Sequence, residues 1–167
     1  PLSAVINTPG HEEAACFNEE RTELYFTRCE KKKKKQLGCN IMVSYKKGNE
    51  WSEPELIKMT EDTTGVYTFG HPSITKDGLE LYFASDMPGG MGGRDIWVIK
   101  RSSKSEKFSG TPQNLGKPVN TELDEVYPYI VGNVLYFASN GHIGMGMLDI
   151  YRVEKKGDGW GEVENMK

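Results

Sequence analysis

Two glutamates that occupy matching places in an internal repeat are candidates for a binding site. Glu12 and Glu125 each come just before a run of residues with the composition of a β-strand. If these strands line a shared channel, the two carboxylates could bind a cation or a basic peptide. The alternative is that both are simply solvated, as most carboxylates in proteins are.

A run of lysines is the second candidate binding surface. Its members are Lys31, Lys32, Lys33, Lys34 and Lys35. Such a run could hold an anionic lipid, a glycan or an acidic protein through its positive charge. A solvated loop that binds nothing explains the same pattern more simply.

Two cysteines flank the lysine run and are candidates for a disulfide. We expect Cys29 and Cys39 at the two ends of one inter-strand loop, where facing strand ends bring Cα atoms within bonding reach. The pair is either a disulfide or two free thiols, and a disulfide would indicate an exported, oxidising setting. Cys16 remains without a partner, and we expect it to be a small buried side chain.

Two aspartates recur before the third strand of successive units. Asp95 and Asp149 each follow a glycine-rich segment, and a carboxylate there can accept hydrogen bonds from backbone N–H groups of its own loop. Because a catalytic site is needed once whereas a structural requirement recurs in every unit, we predict a structural role for both.

The remaining candidates for chemistry are weak. His11, His71 and His142 fall at non-equivalent places in different units, so no shared metal site is predicted. Residues 87–93 are glycine-rich but lack the Lys-Ser/Thr of a phosphate-binding loop. Because the sequence also lacks a Gly-x-Ser-x-Gly elbow, we expect no catalytic residues and no cofactor.

Internal repetition defines the elements that must position these residues. Three markers return twice each at intervals of about 55 residues, in the same order each time. They are Leu24-Tyr25-Phe26, Leu81-Tyr82-Phe83 and Leu135-Tyr136-Phe137; then Ile41, Ile96 and Ile150; then Trp51, Phe108 and Trp160. We therefore divide the chain into three units, at residues 1–54, 55–112 and 113–167.

Each unit carries signals for strands and turns only. Asp77-Gly78 lies between two β-rich runs and predicts a tight hairpin. The Leu-Tyr-Phe strand is apolar at successive positions, so both of its faces must be covered. A period of this length without helical periodicity predicts an all-β fold, a β-propeller of four-stranded antiparallel blades with about three blades present.

The repeat resembles that of a known family. Leu-Tyr-Phe-Ala-Ser, Gly-Gly-x-Gly-Gly-x-Asp-Ile-Trp at 89–97 and Asn-Leu-Gly-x-x-Val-Asn-Thr-x-x-Asp-Glu at 114–125 are similar to the bacterial WD40-like β-propeller repeat of the TolB type. The version beside OmpA-like peptidoglycan-binding domains, including a type IX secretion component, is the most similar. The resemblance covers the whole chain, but the first copy carries Asn40 where the others have aspartate, and the third lacks the full Gly-Gly pair.

This resemblance implies a non-catalytic scaffold that binds other envelope proteins through loops 30–38, 87–94 and 141–148. It further implies a periplasmic or outer-membrane-associated location, a secretion or peptidoglycan-linked assembly, and contact with peptidoglycan only through a flanking domain. The alternative function is the propeller domain of a glycan-processing or peptidase-type enzyme.

Charge and blade number bound the partners. The 21 basic and 24 acidic side chains give a formal net charge of −3, so no nucleic-acid partner is expected. Apolar stretches are too short for a membrane-spanning helix. Three blades cannot close a ring, so we expect a piece of a larger propeller, a homodimer that completes six blades, or coverage by another polypeptide.

Overall fold

The computed structural model describes residues 4–32, 35–61 and 67–167, and within these residues it contains strands, turns and loops but no helix. The strands form three antiparallel sheets, which we call blades 1, 2 and 3. Blade 1 contains β1 (His11–Phe17), β2 (Glu23–Lys32), β3 (Lys35–Lys47), β4 (Glu50–Trp51) and β5 (Glu55–Leu56). Blade 2 contains β6 (Phe69–Ile74), β7 (Glu80–Ser85), β8 (Asp95–Lys100) and β9 (Gln113–Asn114). Blade 3 contains β10 (Glu125–Val131), β11 (Val134–Ser139), β12 (Asp149–Lys156), β13 (Gly159–Trp160) and β14 (Glu164–Asn165).

Each blade follows the same antiparallel path, with its strands paired in chain order. The path is β1-β2-β3-β4, β6-β7-β8-β9 or β10-β11-β12-β13, and β5 and β14 pair with the third strand of their own blades. The predicted all-β fold of antiparallel propeller blades is confirmed. The sheets extend slightly past the predicted unit limits, because β5 and β9 lie just beyond residues 54 and 112.

The central strand of blade 2 is buried on both faces. In β7, the side chains of Leu81, Tyr82 and Phe83 are at most 1% exposed. Leu81 and Phe83 pack in a cluster with residues of blade 1, such as Tyr25, whereas Tyr82 packs in a second cluster with residues of blade 3, such as Leu135. Burial of each such side chain stabilises the fold by about 1.5–3 kcal/mol. Face-to-face packing therefore accounts for the doubly apolar strand.

A buried ion pair joins blade 1 to blade 2. The Arg101 guanidinium donates to both carboxylate oxygens of Glu23, at 3.1 and 2.8 Å. The Tyr25 hydroxyl donates to the same carboxylate at 2.8 Å. A bidentate pair supplies geometric specificity as well as energy, so this contact fixes how the two blades meet.

A related ion pair joins blade 2 to blade 3. The Lys155 ammonium donates to Glu80 at 3.0 Å, and the Tyr82 hydroxyl donates to the same carboxylate at 2.8 Å. Lys155 and Arg101 are equivalent, because the N–H of each bonds the carbonyl before the central strand of its own blade. The N–H of Lys46 makes the same bond in blade 1.

An asparagine before blade 3 binds the backbone of blade 2. The side chain of Asn120 accepts the N–H of Ile96 at 2.8 Å and donates to the carbonyl of Ile96 at 3.0 Å. Asn120 is 1% exposed, and the neighbouring Val119 is fully buried. Together they seal the edge between the two blades.

The first strand of each blade contains a β-bulge at an equivalent place. Register shifts in β1, β6 and β10 coincide with positive φ angles at Ala14, His71 and Tyr127. A bulge redirects the side chains around it. In β6 the residue at the bulge is His71.

The structure corrects the predicted loop over residues 30–38. Strands β2 and β3 continue past the cysteines and stay paired as far as Lys32 and Lys35, so residues 30–32 and 35–38 belong to paired strands. Lys33 and Lys34 lie outside the described residues. The lysine-rich composition indicated a loop, but backbone pairing between strands does not depend on apolar side chains.

The two cysteines that flank this segment lie directly opposite each other in the sheet. Cys29 on β2 pairs with Cys39 on β3, and a disulfide joins them across the strands. Cys16, on β1, is a free cysteine packed at the edge of the core between blades 1 and 2.

No helix long and apolar enough to cross a membrane occurs among the described residues.

Candidate functional site

A polar pocket of about 360 Å³ lies between blades 1 and 2. Strand β1 contributes His11 and Glu13, β2 contributes Thr27, and β6 contributes His71. Arg94, just before β8, completes the polar lining, and the disulfide forms part of the wall. The pocket thus combines a cation, an anion and neutral hydrogen-bonding groups.

His71 is the most buried titratable group of the pocket, at 9% exposure. Its ring stacks on the Tyr127 ring at 3.8 Å between centroids, and its Nδ1 accepts the Tyr127 N–H at 3.3 Å. An acceptor at Nδ1 places the proton of the neutral ring on Nε2. Nε2 makes no hydrogen bond to another described residue, so its N–H is available to the pocket that the ring lines.

The surroundings of His71 favour its neutral form. Burial lowers the pKa of His71 below its usual value; Glu13 opposes this change, and Arg94 adds to it. Both charged side chains therefore act on the ring from within the same pocket. A neutral ring is also what the bond from the Tyr127 N–H requires.

Stability should consequently depend on pH through His71. Because its pKa is lowered in the folded chain, its contribution is complete above the unfolded value of about 6.5 and is lost as pH falls through the folded value. We expect the free energy of unfolding, measured by urea titration, to decrease between about pH 7.5 and pH 5.5. The decrease should be smaller in His71→Gln than in the wild-type chain, whereas the control His11→Gln should show the wild-type decrease. If the free energy of unfolding changes equally with pH in the wild type and both variants, His71 is not the group responsible.

Thr27 connects the first strand of blade 2 to the central strand of blade 1. Its Oγ1 accepts the N–H of His71 at 2.9 Å, which leaves the hydroxyl hydrogen for another acceptor. Gly70 permits this approach, since a Cβ there would lie 3.2 Å from Cγ2 of Thr27. The close contact places the Thr27 hydroxyl and the His71 ring on one pocket wall.

The two charged groups of the pocket make no ion pair with any described residue, although both lie near His71. The backbone of Arg94 is nevertheless held on both sides. Its N–H donates to Asp124 at 2.8 Å, and its carbonyl accepts the Glu125 N–H at 2.6 Å. Arg94 therefore has an anchored backbone and an exposed, unpaired side chain, whereas Glu13 is exposed on β1.

Glu125, predicted as a channel carboxylate, is instead fully buried. It accepts hydrogen bonds from the Thr121 N–H at 2.8 Å, the Thr121 hydroxyl at 2.7 Å and the Ser139 hydroxyl at 2.6 Å. These bonds fix the segment that leads into blade 3 and leave the carboxylate no open side for a ligand.

Glu12 makes the corresponding contacts in blade 1. It accepts the Thr8 N–H and hydroxyl at 3.2 and 2.6 Å, and the Arg28 guanidinium at 3.0 Å. Burial opposes ionisation, but these hydrogen bonds and the charge of Arg28 outweigh it and lower the pKa of Glu12. The sequence correctly paired Glu12 with Glu125, but the expectation of open binding carboxylates missed the threonine four residues earlier.

The two aspartates before the third strands hold their own glycine-rich loops. Asp95 accepts the Met91 N–H at 2.6 Å, and Asp149 accepts the Met145 N–H at 2.7 Å. A Cβ at Gly90 or Gly144 would lie about 2 Å from the corresponding carboxylate, so glycine is needed at both places. Both carboxylates therefore contact the loops before their own strands, and a structural role for them stays a prediction.

Sequence reasoning missed the pocket because it compared equivalent positions. His11 and His71 are not equivalent, yet the packing of blade 1 on blade 2 brings both to one cavity. Glu13 and the sulfurs of Cys29 and Cys39 have spacing suited to a metal, but the two sulfurs are bonded to each other and are not thiolate ligands.

Comparison with known proteins identifies the fold. No family model and no curated protein matches the sequence. Prolyl oligopeptidase B from Galerina marginata is similar in structure, with a TM-score of 0.50, 14% identity, and coverage of 90% of this chain and 20% of that one. A puromycin-hydrolysing peptidase from Mycobacterium tuberculosis is also similar in structure, with a TM-score of 0.50 and 13% identity. That match covers 93% of this chain and 28% of the peptidase. The chain therefore spans 20% and 28% of the lengths of these two proteins, and the likeness is one of β-propeller fold.

Proposed function

Because the chain folds as propeller blades with a polar pocket between two of them, we propose that it is a non-catalytic module that binds a partner in this pocket. The observation that carries the proposal is that the pocket holds Arg94, whose backbone is anchored, beside the largely buried His71. Among residues 4–32, 35–61 and 67–167, the Arg94 side chain makes no ion pair and the His71 Nε2–H has no acceptor. Polar groups that are held in position and free to bind a ligand are typical of a site for a small molecule or peptide.

The described residues support binding rather than covalent chemistry. Burial raises the pKa of the Cys16 thiol to about 12, so this cysteine is not a nucleophile near neutral pH. The hydroxyls of Ser73 and Ser85 accept backbone N–H groups. No serine or cysteine in residues 4–32, 35–61 and 67–167 donates to a histidine, which a nucleophile–base pair requires.

Two settings are compatible with such a module. The family resemblance favours an envelope scaffold, whereas the similarity to two solved peptidases favours a propeller that accompanies a hydrolase. We give the second setting more weight because it rests on a structural match over most of the chain. A glycosidase would need two carboxylates facing one pocket, and Glu13 is the sole carboxylate that lines this pocket among the described residues.

The outer face of blade 3 fits a further blade. In blade 2, Ile96 is fully buried against blade 3, whereas its equivalent Ile150 is 60% exposed. Tyr129 on the same blade is also largely exposed. The face of blade 3 that is exposed to solvent is therefore equivalent to the face of blade 2 that packs against blade 3.

A second copy of this chain is a poor occupant of that face. At the position of Glu23 and Glu80, blade 3 carries Val134. A copy docked head to tail would bring Lys46 to this valine, and the ion pair found between the other blades would be missing. We therefore propose that the occupant is a blade with an uncharged residue at the Lys46 position.

Nuclear magnetic resonance with a mixture of unmodified tripeptides tests the proposed function. We expect shifts of the backbone N–H signals of Thr27, Gly70 and His71 and, by mass spectrometry, intact peptides. Thr68 also lines the pocket, so Thr68→Trp should fill it and abolish the shifts. Thr111→Trp, at an exposed site outside this pocket, should preserve them. Sedimentation equilibrium should give the mass of one chain. Peptide cleavage, or shifts that persist in Thr68→Trp, would overturn the proposal.

A further inference from the structure

We infer that the pocket between blades 1 and 2 binds a carboxylate group on a ligand that also carries a hydrogen-bond donor, as an amino acid or peptide terminus does. This inference rests on the proposed function and names the ligand class for the same pocket. It follows from the chemistry of four side chains that line the cavity: Thr27, His71, Arg94 and Glu13.

His71 supplies a neutral donor. Its Nδ1 is occupied by the Tyr127 N–H, so Nε2 carries the proton and lacks a partner among the described residues. The ring is 91% buried and stacked on Tyr127, which restricts its orientation. The Nε2 atom is not fully buried, so a ligand oxygen can reach this donor from the pocket.

Thr27 supplies a second donor on the same wall. Its Oγ1 accepts the backbone N–H of His71, and its hydroxyl hydrogen has no acceptor among the described residues. Both residues line the pocket, and each offers a hydrogen to an oxygen of a carboxylate.

Arg94 supplies the positive charge. Hydrogen bonds to blade 3 anchor its N–H and carbonyl, while its side chain makes no ion pair with a described residue. Guanidinium groups bind carboxylates with two parallel hydrogen bonds. Holding the backbone before binding reduces the entropy lost when the ligand arrives.

Glu13 sets the selectivity. It lines the same pocket and acts electrostatically on His71. The negative charge of Glu13 disfavours the binding of dianions such as phosphate, because like charges repel. It can instead accept a hydrogen from an ammonium or amide group, so the pocket favours a ligand that carries such a donor beside its carboxylate.

Titration of the full chain with L-alanyl-L-alanine, its C-terminal amide, acetate and inorganic phosphate tests the inference by nuclear magnetic resonance. We expect the dipeptide to bind, and its amide to bind at least about tenfold more weakly because a charge-assisted hydrogen bond is lost. Acetate and phosphate should also bind more weakly than the dipeptide. The carboxylate could belong to a peptide C-terminus or to an acidic side chain, and an N-acetylated aspartyl peptide amide distinguishes the two. If this amide binds as tightly as the dipeptide, the site recognises acidic side chains.

Variants of the two charged residues complete the test. Arg94→Gln should weaken dipeptide binding at least about tenfold, whereas Arg21→Gln, at an exposed arginine outside the pocket, should leave it unchanged. Glu13→Gln should reduce the difference in affinity between the dipeptide and phosphate. Equal binding of acid and amide, tighter binding of phosphate, or wild-type affinity in Arg94→Gln would overturn the inference. If tripeptides still shift the pocket signals in that case, the proposed function stands without it.

Discussion

Replacing Arg101 by leucine should lower the free energy of unfolding by about 3–5 kcal/mol, since removal of one partner leaves a buried charge unpaired. The Arg101 side chain is 2% exposed, and that of Glu23 is 10% exposed. Arg101 also donates to the carbonyls of Gly78 and Glu106 and lies 4.7 Å from the centre of the Phe108 ring. Its loss would therefore affect both the ion pair and the local backbone. Urea unfolding followed by tryptophan fluorescence measures the effect.

An exposed ion pair provides the matched control for Arg101. Lys104 pairs with Glu20, and both side chains are about half exposed. Lys104→Leu should change stability by less than about 1 kcal/mol, because solvent screens such pairs. The double variant Glu23→Leu, Arg101→Leu should be more stable than Arg101→Leu alone, since no charge is then buried without a partner. A loss in Arg101→Leu no larger than in the control would show that the ion pair does not hold the blades together.

Glu125→Ala should lower the free energy of unfolding by about 3 kcal/mol, because three donors lose their acceptor at about 1 kcal/mol each. The donors are the N–H and hydroxyl of Thr121 and the hydroxyl of Ser139. The neighbouring Glu122 is exposed, so Glu122→Ala should change stability by less than about 0.5 kcal/mol. Thermal and urea unfolding of the two variants provide the comparison.

The result for Glu125 also separates the two roles that the sequence allowed. A carboxylate that serves ligand binding in an open channel would be replaced by alanine at little cost in stability. A carboxylate that fixes the segment before blade 3 would not. Stability equal to that of Glu122→Ala would restore the channel interpretation.

The sequence predicted the blade architecture because its signals are local and repeated. Leu81, Tyr82 and Phe83 are successive apolar residues in a strand, and only coverage on both faces explains such a pattern. The turn at Gly78, with a φ of 73°, follows from its residue type. Such features depend on a few neighbouring residues, so they can be read without knowledge of the packing.

The pocket could not be predicted in the same way, because it depends on contacts between blades. His71 lines the cavity through the bulge in β6, and its ring acquires a defined proton position through Tyr127 in blade 3. Arg94 is anchored by residues of blade 3 as well. None of these relations has a signature within one unit. The contacts of Glu12 and Glu125 could not be predicted either, because a threonine four residues before a glutamate is not by itself a signature of a hydrogen bond.

The Asn120 side chain binds both backbone groups of Ile96, so this contact between blades 2 and 3 does not depend on the side chain at position 96. Every residue other than proline offers the same N–H and C=O, so the amide recognises a place in the chain path and not a side chain. Blades 2 and 3 can therefore differ in composition and still be joined at this point. This tolerance offers a physical reason why the second and third units can diverge in sequence and still pack side by side.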